Sequence, residues 1–397
     1  MDHYYKQPNY YKNFHCLGGD CILSCCREWD INWRKTEYEK LLSDNYSEDL
    51  NSNPEKYFKP VTIQGYNIYN VIFSENGFCP FMEEDTGLCS IQKKLGEEHL
   101  SLTCRIYPRF FRSRQNTIFR MCSTSCSYVI ELLMNNRDAV QLETLVSHDY
   151  KKISEFALQF DTVKDVAESP YLKYRMNILD FYADLFNLNA DLEDIIVLGA
   201  LAAKKISDFT SNGKVDAIPD IIKSLKKQFV TPSTIDSVRD IKSNYSIKYT
   251  VVNNCLVQFL PKDSDIIKSV SLLHNGENLV PEKFNQGKDN LFKFLGNREY
   301  AMKNIAANLF YDIFMHLNFT QRSFFDFYSF FTVCIAAVQV ISYSIGYSSE
   351  NIEHDILLYL SDFGRSITHN KDRANRITDY IKEIGLVSPA HLALIIK

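Results

Sequence analysis

Nine of the eleven cysteines in this chain of 397 residues lie within the first 126; only Cys255 and Cys334 follow. Thiols crowded this way do one of three things. They ligate a soft metal, carry redox chemistry, or form disulfides. The N-terminus starts Met-Asp-His-Tyr-Tyr-Lys with no apolar run behind it. The expectation is therefore a cytoplasmic protein with reduced thiols and metal ligation rather than disulfides. The first group is Cys16-Leu-Gly-Gly-Asp-Cys21-Ile-Leu-Ser-Cys25-Cys26, where Gly18 and Gly19 let the backbone turn. The second is spread over Cys79, Cys89, Cys104, Cys122 and Cys126. Cys79 and Cys89 bracket a loop with a turn at Asp85-Thr86-Gly87, and Cys122 and Cys126 would share a face if both were helical. A structural zinc site shows two short Cys pairs, which are missing here, and adjacent Cys25 and Cys26 would serve one zinc awkwardly. All-thiolate ligation with dense, irregular spacing suits an iron–sulfur cluster first, zinc second, and free or regulatory thiols third.

A negative centre needs compensating charge. Between His99 and Ile130 there is no acid, but there are Arg105, Arg109, Arg112, Arg114 and Arg120. Arg105 and Arg109 flank Ile-Tyr-Pro directly after Cys104 and are expected in the site. The other three read as a solvated basic face. The net charge of −5 argues against a nucleic-acid partner. With 14 glycines and no glycine-rich strand–turn–helix loop, the chain is not expected to be a Rossmann protein.

The elements that must position these residues are of two kinds. Residues 1–15 read as a Tyr- and Asn-rich arm. Trp29, Ile31 and Trp33 alternate as in an extended segment, and Thr36 with Glu39 form a weak capping box opening a short helix. Residues 57–73, with Gly65, predict a small hairpin; 116–121 predict a short strand and 127–135 a helix. From about 146 the pattern turns helical. Ile153, Phe156, Ala157 and Phe160 start one helix, followed by helices over 174–188, 192–209, 218–229 and 300–319. Residues 327–349 carry no charge and are long enough to cross a bilayer, but serines, tyrosines and Gln339 make a buried core helix the better reading. Peripheral membrane contact and oligomerisation stay open. The expected fold is mainly α: an irregular Cys-rich module over 1–145 with a small β hairpin, then a helical domain over 146–397.

Three segments carry a resemblance: Cys16-x4-Cys21-x3-Cys25-Cys26-x2-Trp29-x-Ile31; Cys79-Pro80-Phe81 with Gly87-Leu88-Cys89-x-Ile91; and Leu100-Ser101-x-Thr103-Cys104-Arg105-x-Tyr107-Pro108-Arg109. They resemble the flagellin lysine-N-methylase family, within the wider group of zinc- or iron-chelating cysteine-cluster proteins. A weaker likeness extends to Asn304 and to Phe363-Gly364-Arg365 with His369-Asn370. The resemblance implies a cytoplasmic S-adenosylmethionine-dependent lysine methyltransferase acting on flagellin, with a 4Fe–4S cluster and zinc as the alternative metal. By position, Cys16, Cys21, Cys25, Cys26, Cys79, Cys89, Cys104 and Cys126 match the family's cysteines, and Cys122 is extra. Two positions depart from the pattern: Ser127-Tyr128 stand where Pro-Glu is usual, and Arg34 stands where an acid is expected. Tyr107 and Arg109 are the candidate catalytic residues, Tyr107 as a cation–π partner of a sulfonium or else a buried structural ring. Trp29, Arg105, Arg365 and His369 are the candidate cofactor contacts. The rival reading is a non-enzymatic metal-chelating or redox-sensing protein whose helical part binds a partner.

Overall fold

A computed structural model describes residues 2–27, 29, 31–63, 66–154, 157–276, 278–316, 321–368 and 371–397. Gly65, Phe156, the last residues of the helix expected over 300–319, His369 and Asn370 lie outside these. The chain divides into two compact units, one of residues 15–110 and the other of 1–14 together with 111–397. Leu142–Val146 is the last long strand, and mostly helices follow it.

In the 15–110 unit the expected hairpin is present. Phe58–Ile63 pairs antiparallel with Tyr66–Val71, and Asn32–Arg34 adds a third strand on the far side of Tyr66–Val71. The alternation of Ile31 and Trp33 has its cause here, since both are buried in a small core with Phe58, Phe81 and Ile91. The helix Lys35–Ser43 follows the strand at once. Its box differs from the expected one. Arg34 remains extended as the cap, so the third helical residue is Glu37, whose Oε2 accepts from the Arg34 N–H at 2.9 Å. Glu39 instead pairs with Lys35 at 3.6 Å.

In the other unit, the supposed N-terminal arm is a strand. Tyr4–Pro8 lies inside a five-stranded mixed sheet ordered Leu142–Val146, Tyr4–Pro8, Thr117–Cys122, Arg109–Arg114, Leu158–Gln159. It runs antiparallel to the first and parallel to the third. Tyr5 and Gln7, two apart, are both buried. The helix expected from Ile153 onward also gives way. Only Tyr150–Ser154 is helical, and Leu158–Gln159 is drawn into the sheet beside Arg112 and Ser113, so strand pairing overrides the helical spacing.

The remaining helices follow the apolar periodicity: Arg175–Phe186, Leu192–Ser211, Ile218–Phe229 and Tyr300–His316. At their centre is Phe324–Ser348, whose one charge is Asp326 at the N-terminal turn. Ser323 caps it by accepting from the Asp326 N–H at 3.0 Å. This bilayer-length segment is a core helix: 94% of its apolar window is buried. Glycine decides how near its neighbours come. A Cβ on Gly287 of the helix Pro281–Leu295 would lie 2.0 Å from the Tyr343 carbonyl, and one on Gly346 would lie 2.1 Å from the Gly287 carbonyl. Tyr182 and Tyr328 donate to the carbonyls of Gly199 and Ile196, so these buried phenols are bonded.

Candidate metal centre

Within residues 15–110 the fold draws four thiols together from distant positions. Cys25 lies in the first loop, Cys79 and Cys89 stand at the two ends of the second, and Cys104 lies on the short helix Leu102–Ile106. Burial pushes the Cys79 thiol up to about 12, and Cys104, Cys89 and Cys25 push it in the same direction. Burial likewise raises Cys104 to about 12, with Cys25 and Cys89 adding to it, and raises Cys89, with Cys25 again contributing. These thiols therefore oppose one another's ionisation, an opposition that a bound cation removes. Donors already point at the sulfurs: the Phe81 amide at Cys79, the Ile91 and Gln92 amides at Cys89, and the Ser101 hydroxyl at Cys104. Such donors stabilise thiolate rather than thiol.

The backbone explains the convergence. The Cys79 N–H donates to the Cys26 carbonyl at 2.8 Å, which ties the second loop to the first. Met82 and Cys89 form an antiparallel bridge, and Glu83 N–H donates to the Leu88 carbonyl at 2.9 Å, so the 79–89 loop closes on itself. The loop after Cys16 seats against that turn. A Cβ on Gly19 would lie 2.2 Å from the Thr86 carbonyl, and Gly18 and Gly87 both take positive φ. Ser101 caps the Cys104 helix by accepting from the Cys104 N–H at 3.2 Å, and Glu37 accepts from the Leu102 N–H at 3.1 Å.

Cys21 extends the set. Burial lifts it to about 11, followed by the influence of Cys16 and Cys25. Cys16 is exposed, and Cys26 packs against the apolar core. Among the described residues no three His, Cys, Asp or Glu stand close enough together to hold a single ion. The Trp29 indole donates to the Cys25 carbonyl, and its ring meets the Tyr107 ring at 4.9 Å between centroids. Both rings, and Arg105 and Arg109, are half-buried.

Cys122, Cys126 and Arg365 belong to the other unit. Cys122 ends a strand and Cys126 precedes the helix Ser127–Asn135, so the two do not share a helical face. The turn between them is built from below: Asp312 Oδ2 accepts from Ser123 Oγ, Thr124 N–H and Thr124 Oγ1 at 2.7, 2.9 and 3.0 Å. Burial raises the Asp312 carboxyl to about 6. Gly364 lets the helix Ile352–Thr368 reach this turn, since a Cβ there would lie 2.8 Å from the Thr124 carbonyl. Arg365 thus follows directly on the contact that leads to Cys126. Asn304, also marked by the resemblance, is structural: its amide donates to the Leu133 and Asn136 carbonyls at the end of the Ser127–Asn135 helix.

Arg112, Arg114 and Arg120 form no solvated basic face. Arg112 is buried and donates to the Met315 carbonyl at 2.9 Å; Arg114 pairs with Asp161 at 3.4 Å; Arg120 lies 3.7 Å over the Tyr5 ring. All three hold the sheet unit together rather than face solvent. Ser101 and Asp312 were missed as supporting residues, whereas Gly19 was expected at a turn of the first loop. Of these Ser101, three before Cys104, carries a readable capping signal.

A mainly helical protein with a compact, thiol-lined metal-binding unit is the class these features define. Comparison with known proteins narrows it. Residues 15–127 match the CxxCxxCC family, described as a zinc- or iron-chelating domain, and residues 185–395 match the FliB lysine N-methylase C-terminal domain. With more than half its length inside that second match, the chain belongs to the FliB lysine N-methylase family. It is 30% identical over 139 residues to the flagellar biosynthetic protein FliU of Salmonella muenchen, covering 34% of this chain and 80% of that protein. It is 28% identical over 158 residues to the lysine-N-methylase of Salmonella typhimurium, 38% of either chain, and to the same extent to that of Salmonella choleraesuis. The chain thus aligns with under half the length of these methylases. No solved structure matches.

Proposed function

We propose that this protein methylates lysine side chains of flagellin, taking the methyl group from S-adenosylmethionine in the cytoplasm, and that its thiols hold a 4Fe–4S cluster. The observation that carries the metal part is the convergence of Cys25, Cys79, Cys89 and Cys104 with donors aimed at three of their sulfurs. A single zinc ion would need its thiolates about 2.3 Å from one centre. A cluster instead takes each thiolate on a separate iron, so thiols drawn from separate segments can each serve it. The donor set is all sulfur, which suits iron–sulfur ligation. When bound, such a cluster supplies either redox capacity or an anionic centre that orders its surroundings.

The protein's own residues then have definite tasks. Methyl transfer requires a neutral lysine amine in line with the sulfonium methyl group. The N–C bond forms as the C–S bond breaks, S-adenosylhomocysteine leaves, and the amine gives up a proton. The paired rings of Trp29 and Tyr107 offer faces that attract a sulfonium or an alkylated ammonium. Half-buried Arg105 and Arg109 disfavour a protonated lysine nearby and so favour the nucleophilic amine.

The test is to purify the protein without oxygen, measure iron and sulfide, and incubate it with labelled S-adenosylmethionine and flagellin. Methyl-lysine in flagellin, absent with a Cys104→Ser variant, is the expected result. Stoichiometric zinc with no transfer to any protein would overturn the proposal.

A further inference from the structure

We infer that the strand Leu142–Val146 pairs with the same strand of a second copy of this chain, antiparallel and centred on Thr144. The strand forms one side of the five-stranded sheet, where Tyr4–Pro8 is its strand partner. Two bonds at the ends of that pairing fix where its backbone groups point. The Ser147 N–H donates to the His3 carbonyl at 2.8 Å, and the Asn9 N–H to the Gln141 carbonyl at 2.9 Å. In an antiparallel ladder every second residue bonds to the same neighbour. With Val146 opposite Tyr4, the residues that bond inward are therefore Gln141, Glu143, Leu145 and Ser147. Leu142, Thr144 and Val146 turn their N–H and C=O groups outward, and none of these groups meets a partner among the described residues.

Outer strands usually carry features that block such pairing. Phe58–Ile63 has Lys59 and Pro60, Asn32–Arg34 is three residues long and ends in Arg34, and Leu158–Gln159 has two residues. Leu142–Val146 has five residues and no lysine, arginine or proline. Its one charge, Glu143, accepts from the buried Gln7 amide at 2.7 Å and is held toward the core side. Leu145 and Val146 stay 39% and 57% exposed. The strand's own sequence names the occupant. A two-fold axis through Thr144 sets Leu142 against Val146, Thr144 against its own copy, and Glu143 against Leu145. The three outward residues then fall where facing residues exchange two N–H···O bonds, so every outward donor and acceptor is met. No like charges stand opposite each other, and the exposed Val146 is covered by a leucine. This self-match of apolar ends and neutral centre favours a second copy over a foreign segment.

The test is analytical ultracentrifugation of the full anaerobically purified chain over a concentration series, beside Thr144→Pro, Thr144→Lys and Thr144→Glu, each checked by thermal melting. Thr144 is exposed and its N–H points outward, a position where an outer strand tolerates proline. Thr144→Lys and Thr144→Glu keep the test valid if Thr144→Pro does not fold. The natural protein should sediment with the mass of two chains. Thr144→Pro should weaken the dimer by roughly tenfold or more, since two bonds at the axis are lost. Thr144→Lys or Thr144→Glu alone should weaken it, and an equimolar mixture of the two should restore it, because lysine then faces glutamate across the axis. A natural protein of single-chain mass at every concentration would overturn the proposal, as would a dimer that Thr144→Pro and both charged variants leave unchanged. A single-chain protein whose binding to flagellin weakens in Thr144→Lys would overturn it in favour of an extended substrate segment.

Discussion

Cys79 and Cys104 show how residue chemistry and burial combine. Each thiol alone would resist ionisation, pushed up to about 12 chiefly by burial, yet each has a donor aimed at its sulfur. Metal binding resolves the conflict, because a coordinated thiol is deprotonated outright. Replacing Cys79 or Cys104 with serine should therefore remove most bound iron, whereas Cys16→Ser, at an exposed position, should keep most of it; iron and sulfide assays on anaerobically purified variants decide this. Asp312 yields a pH prediction. Burial lifts its carboxyl from the usual 3.8 to about 6 against the hydrogen bonds of Ser123 and Thr124. An acid with a raised native pKa stabilises the fold fully below its unfolded value and loses that contribution as pH rises through about 6. The shift of about two units corresponds to roughly 3 kcal/mol. Lowering the pH from about 7 to about 5 should raise the melting temperature of the natural protein relative to Asp312→Asn, which lacks this titration.

Helix packing depends on places where a side chain is missing. Gly287 and Gly346 bring Pro281–Leu295 against Phe324–Ser348 with no room for a methyl group at either position. Gly346→Ala should cost roughly 1–3 kcal/mol by forcing the two helices apart, read as a lower melting temperature with helical content retained. At this scale the sequence was readable where one period ran unopposed. The helix expected over 218–229 is Ile218–Phe229, and 127–135 is Ser127–Asn135. It misled where pairing partners lay far away. Tyr4–Pro8 gains its strand character from Thr117–Cys122 and Leu142–Val146, more than a hundred residues on, and Leu158–Gln159 from Arg112 and Ser113.

The two compact units differ in what holds them together. The 15–110 unit has a three-stranded sheet and a small core, so metal ligation by its loop thiols would add directly to its folding free energy. The other unit has a large helical core around Phe324–Ser348. Removing the metal with a chelator should therefore expose 15–110 to limited proteolysis first and leave fragments from 111–397 intact, as mass spectrometry of the digest would show. Because the bilayer-length helix is buried, the protein should also stay in the supernatant of a high-speed spin without detergent.

Local chemistry was determined by the sequence alone. The thiols, their loops, the hairpin and the core helices follow from residue type and short-range spacing, and those same motifs carried the family resemblance. Their grouping did not follow. Cys25 and Cys26 are adjacent, yet Cys25 is the one that couples to Cys79, Cys89 and Cys104, while Cys26 contributes its carbonyl, which accepts from the Cys79 amide. Arg112, Arg114 and Arg120 carry the same charge as Arg105, but partners remote in sequence make them structural. Burial, charge pairing and close helix approach are properties of three-dimensional neighbours, so only the tertiary structure decided which residues of each type share a site.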